Sequence, residues 1–151
     1  MRQAGAAIAV VVFAAGCGGG AATLSKAAYQ NKLKVEGTQL NQAVAGVDFS
    51  RISNLPALAA KLETIQKRFD RVANDVAGLK PPKDAAADNR KIADALHKFA
   101  AGFRRLRDAA RAGKKKQIPA LLSGLASADN EGRTASNDLK AKGYDVGVFG
   151  G

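Results

Sequence analysis

Residues 55–82 read LPALAAKLETIQKRFDRVANDVAGLKPP, and this stretch decides the fold class of the chain. Its apolar residues recur at alternating steps of three and four, which is the spacing of one face of an α-helix. They are Leu55, Leu58, Leu62, Ile65, Phe69, Val72, Val76 and Leu79. The two prolines that close the stretch cannot continue a helical hydrogen-bond ladder. The pattern predicts an amphipathic helix over about 54–79, with Ser53 or Asn54 as its N-cap.

Three further segments have helical periodicity, and strong helix breakers separate them. The predicted ranges are about 24–45 for the first helix, 82–112 for the third and 117–142 for the fourth. The third is the most regular of these three, with Ile92, Leu96, Phe99, Phe103, Leu106 and Ala110 on one face. No segment shows the alternating pattern of a β-strand. The sequence therefore predicts an all-α domain over 24–151, folded as a four-helix up-down-up-down bundle.

The beginning of the chain has the pattern of a secretory signal. Arg2 is its single positive charge, and Ala6 to Ala15 form an apolar segment of the length expected for such a signal. A bilayer span needs about 20 apolar residues, so this segment is too short to cross a membrane. The pattern predicts a signal peptide over residues 1–16.

The residues Ala14, Ala15, Gly16 and Cys17 resemble the lipobox of bacterial lipoproteins, with Ala14 where that motif most often has Leu. The resemblance implies cleavage after Gly16 and a diacylglycerol thioether on Cys17, the only cysteine of the chain. Residues 17–23 then form a glycine-rich flexible tether. The alternatives are a plain secretory signal with an incidental cysteine, or a buried apolar helix with a core cysteine. The lipoprotein interpretation predicts a protein anchored to the cell membrane and exposed outside the cytoplasm.

The formal net charge of the 151-residue chain is +11, and it is +10 once Arg2 leaves with the signal peptide. A strongly basic protein favours anionic partners. We expect the partner to be an anionic lipid, an acidic cell-wall polymer or an acidic protein. We do not expect nucleic acid, because the sequence has no nucleic-acid-binding motif and the predicted location holds little of it.

A basic cluster closes the predicted third helix and fills the turn after it. Its candidate anion-contact residues are Arg104, Arg107, Arg111, Lys114, Lys115 and Lys116. Cations at a helix C-terminus interact favourably with the helix dipole, and a solvated basic face also keeps an alanine-rich protein soluble. Three consecutive lysines nevertheless exceed what helix capping requires. The cluster is therefore the predicted contact surface for an anion.

Catalytic and metal-binding residues do not form a recognisable set. His97 is the only histidine, and with lipidated Cys17 no free thiol remains. A helical-bundle dimetal site requires two Glu-x-x-His motifs and further glutamates, which this chain lacks. We predict a non-enzymatic protein without a metal or cofactor.

A second hypothesis is a carrier that holds a small apolar ligand in the bundle core. Phe69, Phe99 and Phe103 are its candidate groove residues, since they are predicted to face small residues of the fourth helix. Ordinary core packing explains the same alternation of large and small side chains.

The segments LSKAAYQ (24–30), LKPP (79–82) and LKAKGYDVG (139–147), with the basic third helix, resemble an uncharacterised class of helical bacterial lipoproteins. That resemblance implies a fold and a location, and it implies no activity.

Overall fold

The computed structural model describes residues 22–47 and 54–147. This part of the chain is all-helical. The helices are α1 (Lys26–Val44), α2 (Leu55–Ala77), α3 (Ala86–Arg111), α4 (Ile118–Ser123) and α5 (Ala126–Ala141), with short 3-10 turns at Lys83–Ala85 and Lys115–Gln117. No helix in the described ranges is long and apolar enough to cross a membrane.

Several predictions concern parts of the chain outside the described residues. These are the signal peptide 1–16, the cleavage site after Gly16, the lipidated Cys17 and most of the tether 17–23. Ser53, one of the two predicted caps of α2, also lies outside them. Asn54 does cap α2, because its Oδ1 accepts a hydrogen bond of 3.0 Å from the backbone N–H of Ala57.

The pair formed by α2 and α3 is the centre of the fold. The predicted stripe of α2 is buried from Leu58 to Val76, and its end residues Leu55 and Leu79 pack partly buried against the core. Residues later in α2 contact residues earlier in α3. Glu63 contacts Arg111, whereas the carbonyl of Val76 accepts a hydrogen bond from Asn89. The two helices therefore run antiparallel, which buries their apolar stripes against each other.

The remaining helices flank this pair. Helix α1 packs chiefly against α2 through the buried residues Tyr29, Leu33 and Leu40. Helix α5 packs against α3, with Ala128, Ala135 and Leu139 buried.

The structure divides the predicted fourth helix. Helix α4 ends at Ser123 and α5 begins at Ala126, although Gly124 and Leu125 both keep right-handed helical dihedrals. The Leu125 N–H donates to the carbonyl of Leu122, three residues back, at 3.0 Å. The interruption is thus a tightened turn, and glycine at 124 lowers the local helix preference by about 1 kcal/mol relative to alanine.

Candidate functional site

The lysine turn, which we define as Lys114, Lys115 and Lys116, directly follows the end of α3. Gly113 has a φ of +69°, which glycine adopts without strain. The Lys114 N–H donates to the carbonyl of Ala109 at 2.9 Å, so backbone atoms complete the helix end. All three lysines are exposed, and none has an ion partner among the residues that the structure describes. Their charges are therefore available to solvent or to a partner.

The three predicted arginines instead pair within the protein. Arg111 contacts Glu63 at 2.5 Å, and an Arg104 Nη lies 3.7 Å from the Asp70 carboxylate. Arg107 donates to Gln66 Oε1 at 2.6 Å and to Asp108 at 2.8 Å, and its side chain is only 17% exposed. The predicted basic cluster thus divides into a row of arginines on α3 that pair with side chains of α2 and α3, and an unpaired lysine turn.

Glu63 neutralises part of the arginine row. Its carboxylate accepts a hydrogen bond from Lys67 at 2.8 Å and also contacts Arg111. The Lys67 hydrogen bond, the Lys67 charge and then the Arg111 charge lower the pKa of Glu63. Glu63 stays ionised at neutral pH and partly neutralises the charge of Arg111. An external anion is therefore attracted less strongly to Arg111 than to a lysine of the turn.

The three candidate groove residues pack against one another. The ring centroids of Phe69 and Phe103 are 5.1 Å apart, those of Phe69 and Phe99 are 5.4 Å apart, and those of Phe99 and Phe103 are 6.3 Å apart. These are direct aromatic contacts. The rings therefore fill the space between α2 and α3 with each other.

Close contacts between α3 and the segment predicted as the fourth helix involve two glycines. A Cβ added to Gly132 would lie 3.6 Å from the Cβ of Ala95, and one added to Gly102 would lie 2.2 Å from Leu125 Cδ2. Glycine at these two positions lets helices approach closely, as ordinary core packing requires.

His97 is exposed and lines an open groove of about 590 Å³ between α3 and α5, whose lining residues are all of polar or charged types. An ion pair between Lys98 and Glu131 crosses this groove. Asp94 lies three residues before His97 on α3 and also lines it. In the described ranges no group of three or more His, Cys, Asp or Glu side chains is arranged to hold a metal ion.

A buried polar chain lies at the opposite end of α3 from the lysine turn, and the sequence analysis missed it. The Tyr29 hydroxyl donates to Asn89 Oδ1 at 3.0 Å, and Asn89 Nδ2 donates to the carbonyl of Val76 at 2.9 Å. Tyr29 is 0% exposed and Asn89 3%. Burial, and then the nearby charge of Asp88, raise the pKa of Tyr29, so it remains a hydrogen-bond donor at neutral pH. One feature of the sequence could have predicted this buried chain: Asn89 is a polar residue on the apolar stripe of α3.

A second set of contacts closes the same end of the bundle. Lys142 donates to the nearly buried Asp88 carboxylate at 2.6 Å and to the carbonyl of Asp84 at 2.8 Å. The hydrogen bond to Asp88 raises the pKa of Lys142. The Tyr144 hydroxyl donates to Asp84 at 2.8 Å, and burial followed by this hydrogen bond raises its pKa to about 12. Its ring meets Tyr29 edge to face at 5.8 Å.

These contacts bring together the three short segments LSKAAYQ, LKPP and LKAKGYDVG. The Leu24 N–H donates to the carbonyl of Lys80 at 2.7 Å. Lys26 donates to the carbonyl of Lys142 at 3.0 Å and lies 4.5 Å from the centroid of the Tyr144 ring. We call this region the N-terminal end of the bundle. The hydrogen-bonding groups described above satisfy one another, which indicates that they stabilise this end of the fold and do not form a reactive site.

Comparisons with family models, curated proteins and solved structures find no match to this chain. The resemblance to bacterial lipoproteins therefore stays a prediction.

Proposed function

We propose that the protein is a non-enzymatic, lipid-anchored module of the bacterial cell envelope that contacts an anionic partner through its lysine turn. The observation that carries the proposal is the contrast within the basic cluster. Arg104, Arg107 and Arg111 have partners inside the protein, whereas Lys114, Lys115 and Lys116 are exposed and unpaired in the part of the chain that the structure describes.

The fold does not require three lysines at this position. Gly113 and the Lys114 N–H already complete the end of α3 with backbone groups. Three adjacent ammonium groups repel one another, and an anionic partner relieves that repulsion. A basic residue close to an anionic surface contributes about 1 kcal/mol, so the turn as a whole contributes a measurable binding energy.

The proposed location follows from Cys17. Two acyl chains on this residue anchor a protein stably, since one chain alone gives only marginal binding.

The helices behind the tether form an up-down-up-down bundle in this proposal. The antiparallel α2–α3 pair supports that arrangement, as does the ladder between α3 and α5, in which Lys91 meets Asp138 and Asp88 meets Lys142.

The proposed partner is an anionic lipid, a wall polymer or an acidic protein, with no nucleic acid and no cofactor. The apolar-carrier hypothesis has no structural observation in its favour. Phe69, Phe99 and Phe103 contact each other directly, which is what ordinary core packing predicts.

A binding experiment with a charge-matched control tests this proposal. The lipidated protein is held in neutral phosphatidylcholine vesicles, and fluorescent polyphosphate and polyglutamate are titrated at low and high salt. We expect K114Q/K115Q/K116Q to weaken binding roughly tenfold or more and to reduce its salt dependence. The control, K32Q/R90Q/R133Q, removes the same charge from scattered exposed positions and should have a much smaller effect. Equal losses in the two variants would show that net charge alone drives binding, and the lysine turn would have no special role.

A further inference from the structure

The N-terminal end of the bundle carries its own unpaired cations. Lys80 and Lys83 flank the Pro81–Pro82 pair, which fixes the backbone between them. Both lysines are exposed, and neither has an ion partner within the described ranges. The Leu24 N–H donates to the carbonyl of Lys80, so the chain enters the fold directly beside these two charges.

The lysine turn lies at the far end of α3. At 1.5 Å per residue, the 26 residues of α3 are about 39 Å long. Residues 17–23 reach at most about 25 Å when fully extended. If Cys17 is in the bilayer, this tether is too short to let the bundle stand inverted on its lysine turn. Two orientations remain: an upright one, with the N-terminal end of the bundle facing the bilayer, and a flat one, with the bundle lying on its side.

Acidic side chains on the flanks of the bundle oppose the flat orientation. Asp75 is on α2, Asp94 on α3 and Asp129 on α5, and all three are exposed. A bundle lying on its side would bring these carboxylates against anionic headgroups, where like charges repel, and this repulsion offsets the attraction of exposed cations on the flanks such as Lys32 and Arg133. The upright orientation places Lys80 and Lys83 at the headgroups instead.

We propose that Lys80 and Lys83 form the surface that contacts the phospholipid headgroups of the bilayer holding the anchor, while the lysine turn stands about 39 Å away. This inference rests on the lipid anchoring proposed above. It also narrows the partner of the lysine turn, which is then a polyanion other than the anchoring bilayer. The protein bridges two anionic surfaces from opposite ends of α3.

Energy transfer from the mature lipidated protein to a labelled lipid tests this orientation. Because lipidation consumes the thiol of Cys17, a cysteine introduced at Ala87 or at Ala112 is the only site for a thiol-reactive donor. Both positions are exposed and lie near opposite ends of α3. The protein inserts into phosphatidylcholine vesicles, with or without phosphatidylglycerol, that contain a headgroup-labelled acceptor lipid.

With phosphatidylglycerol present, we expect transfer from position 87 to exceed transfer from position 112 about threefold, given their separation along the helix. K80Q/K83Q should reduce this ratio strongly, and omission of phosphatidylglycerol should do the same. The charge-matched K32Q/R133Q pair should leave it unchanged. Circular dichroism checks that each variant keeps its helix content.

Three results would overturn the inference while leaving lipid anchoring intact. The first is equal energy transfer from positions 87 and 112. The second is a transfer ratio that K80Q/K83Q leaves unchanged, and the third is a transfer ratio that K114Q/K115Q/K116Q lowers. A protein that stays in the supernatant and shows no transfer from either position would refute the anchoring, and the inference with it.

Discussion

Replacing Asn89 with Ala removes the central residue of the buried chain that joins α1, α2 and α3. The change eliminates hydrogen bonds of 3.0 Å from the Tyr29 hydroxyl and 2.9 Å to the carbonyl of Val76. It leaves the Tyr29 hydroxyl buried without a partner, at a cost of about 1–3 kcal/mol, and loss of the hydrogen bond to Val76 costs about 1 kcal/mol more, because the Val76 carbonyl still accepts from the Leu79 N–H at 3.2 Å. We expect N89A to lower the free energy of unfolding by about 3 kcal/mol.

The companion variant Y29F removes one of these hydrogen bonds and should cost about 1 kcal/mol alone. In the N89A background it should cost almost nothing, because the hydroxyl has already lost its acceptor. Urea unfolding of residues 22–151, followed by circular dichroism, measures all four proteins, and N137A is the control because Asn137 is exposed on α5. A cost below about 0.5 kcal/mol for N89A, or strict additivity of the two changes, would refute the reasoning.

Three other substitutions probe separate parts of the structure. Glu36 has a buried Oε2 without a hydrogen-bond partner in the part of the chain that the structure describes, and burial followed by the charge of Asp75 raises the pKa of Glu36. A raised pKa destabilises the folded state only at pH values above the pKa that Glu36 has in the unfolded chain. E36Q should therefore raise the urea midpoint at pH 7 and have little effect near pH 4. In G102A the added Cβ meets the Leu125 side chain. A double-mutant cycle should therefore show that G102A changes the free energy of unfolding more favourably in an L125A background than in the wild type, by at least about 1 kcal/mol. G143A should destabilise by about 1–2 kcal/mol in urea unfolding because Gly143 has a φ of +76°, and a loss no greater than that of G46A would contradict this.

The sequence predicts α2 and α3 well because their stability depends on local periodicity. Apolar steps of three and four identify which face is buried, and Asn54 and the Pro-Pro pair mark the boundaries of α2 without information about any other helix. The third helix was predicted to begin at Pro82, yet the structure has a 3-10 turn at Lys83–Ala85 before α3 begins at Ala86. Such end effects depend on how the first turn packs, and periodicity does not report that.

The division of the predicted fourth helix and the pairing of the arginines were not predictable in the same way. Leu125 lies over Gly102, and Arg111 meets Glu63 across two helices. Both contacts depend on the relative register of helices distant in sequence. The partners of Asp84 and Asp88 were missed for a related reason: an acid in the first turn of a helix already has a local explanation in the helix dipole.

A lipid on Cys17 that holds this basic domain at a membrane would be visible in the mass of the protein's N-terminus. The protein is expressed in a bacterium, recovered from the membrane fraction and analysed by intact and peptide mass spectrometry beside a Cys17→Ser variant. We predict that residues 1–16 are absent, that Cys17 is the first residue and carries a diacylglycerol thioether, and that the serine variant leaves the membrane fraction. An N-terminus that retains residues 1–16, or an unmodified Cys17 thiol in a membrane-bound protein, would refute lipid anchoring through Cys17.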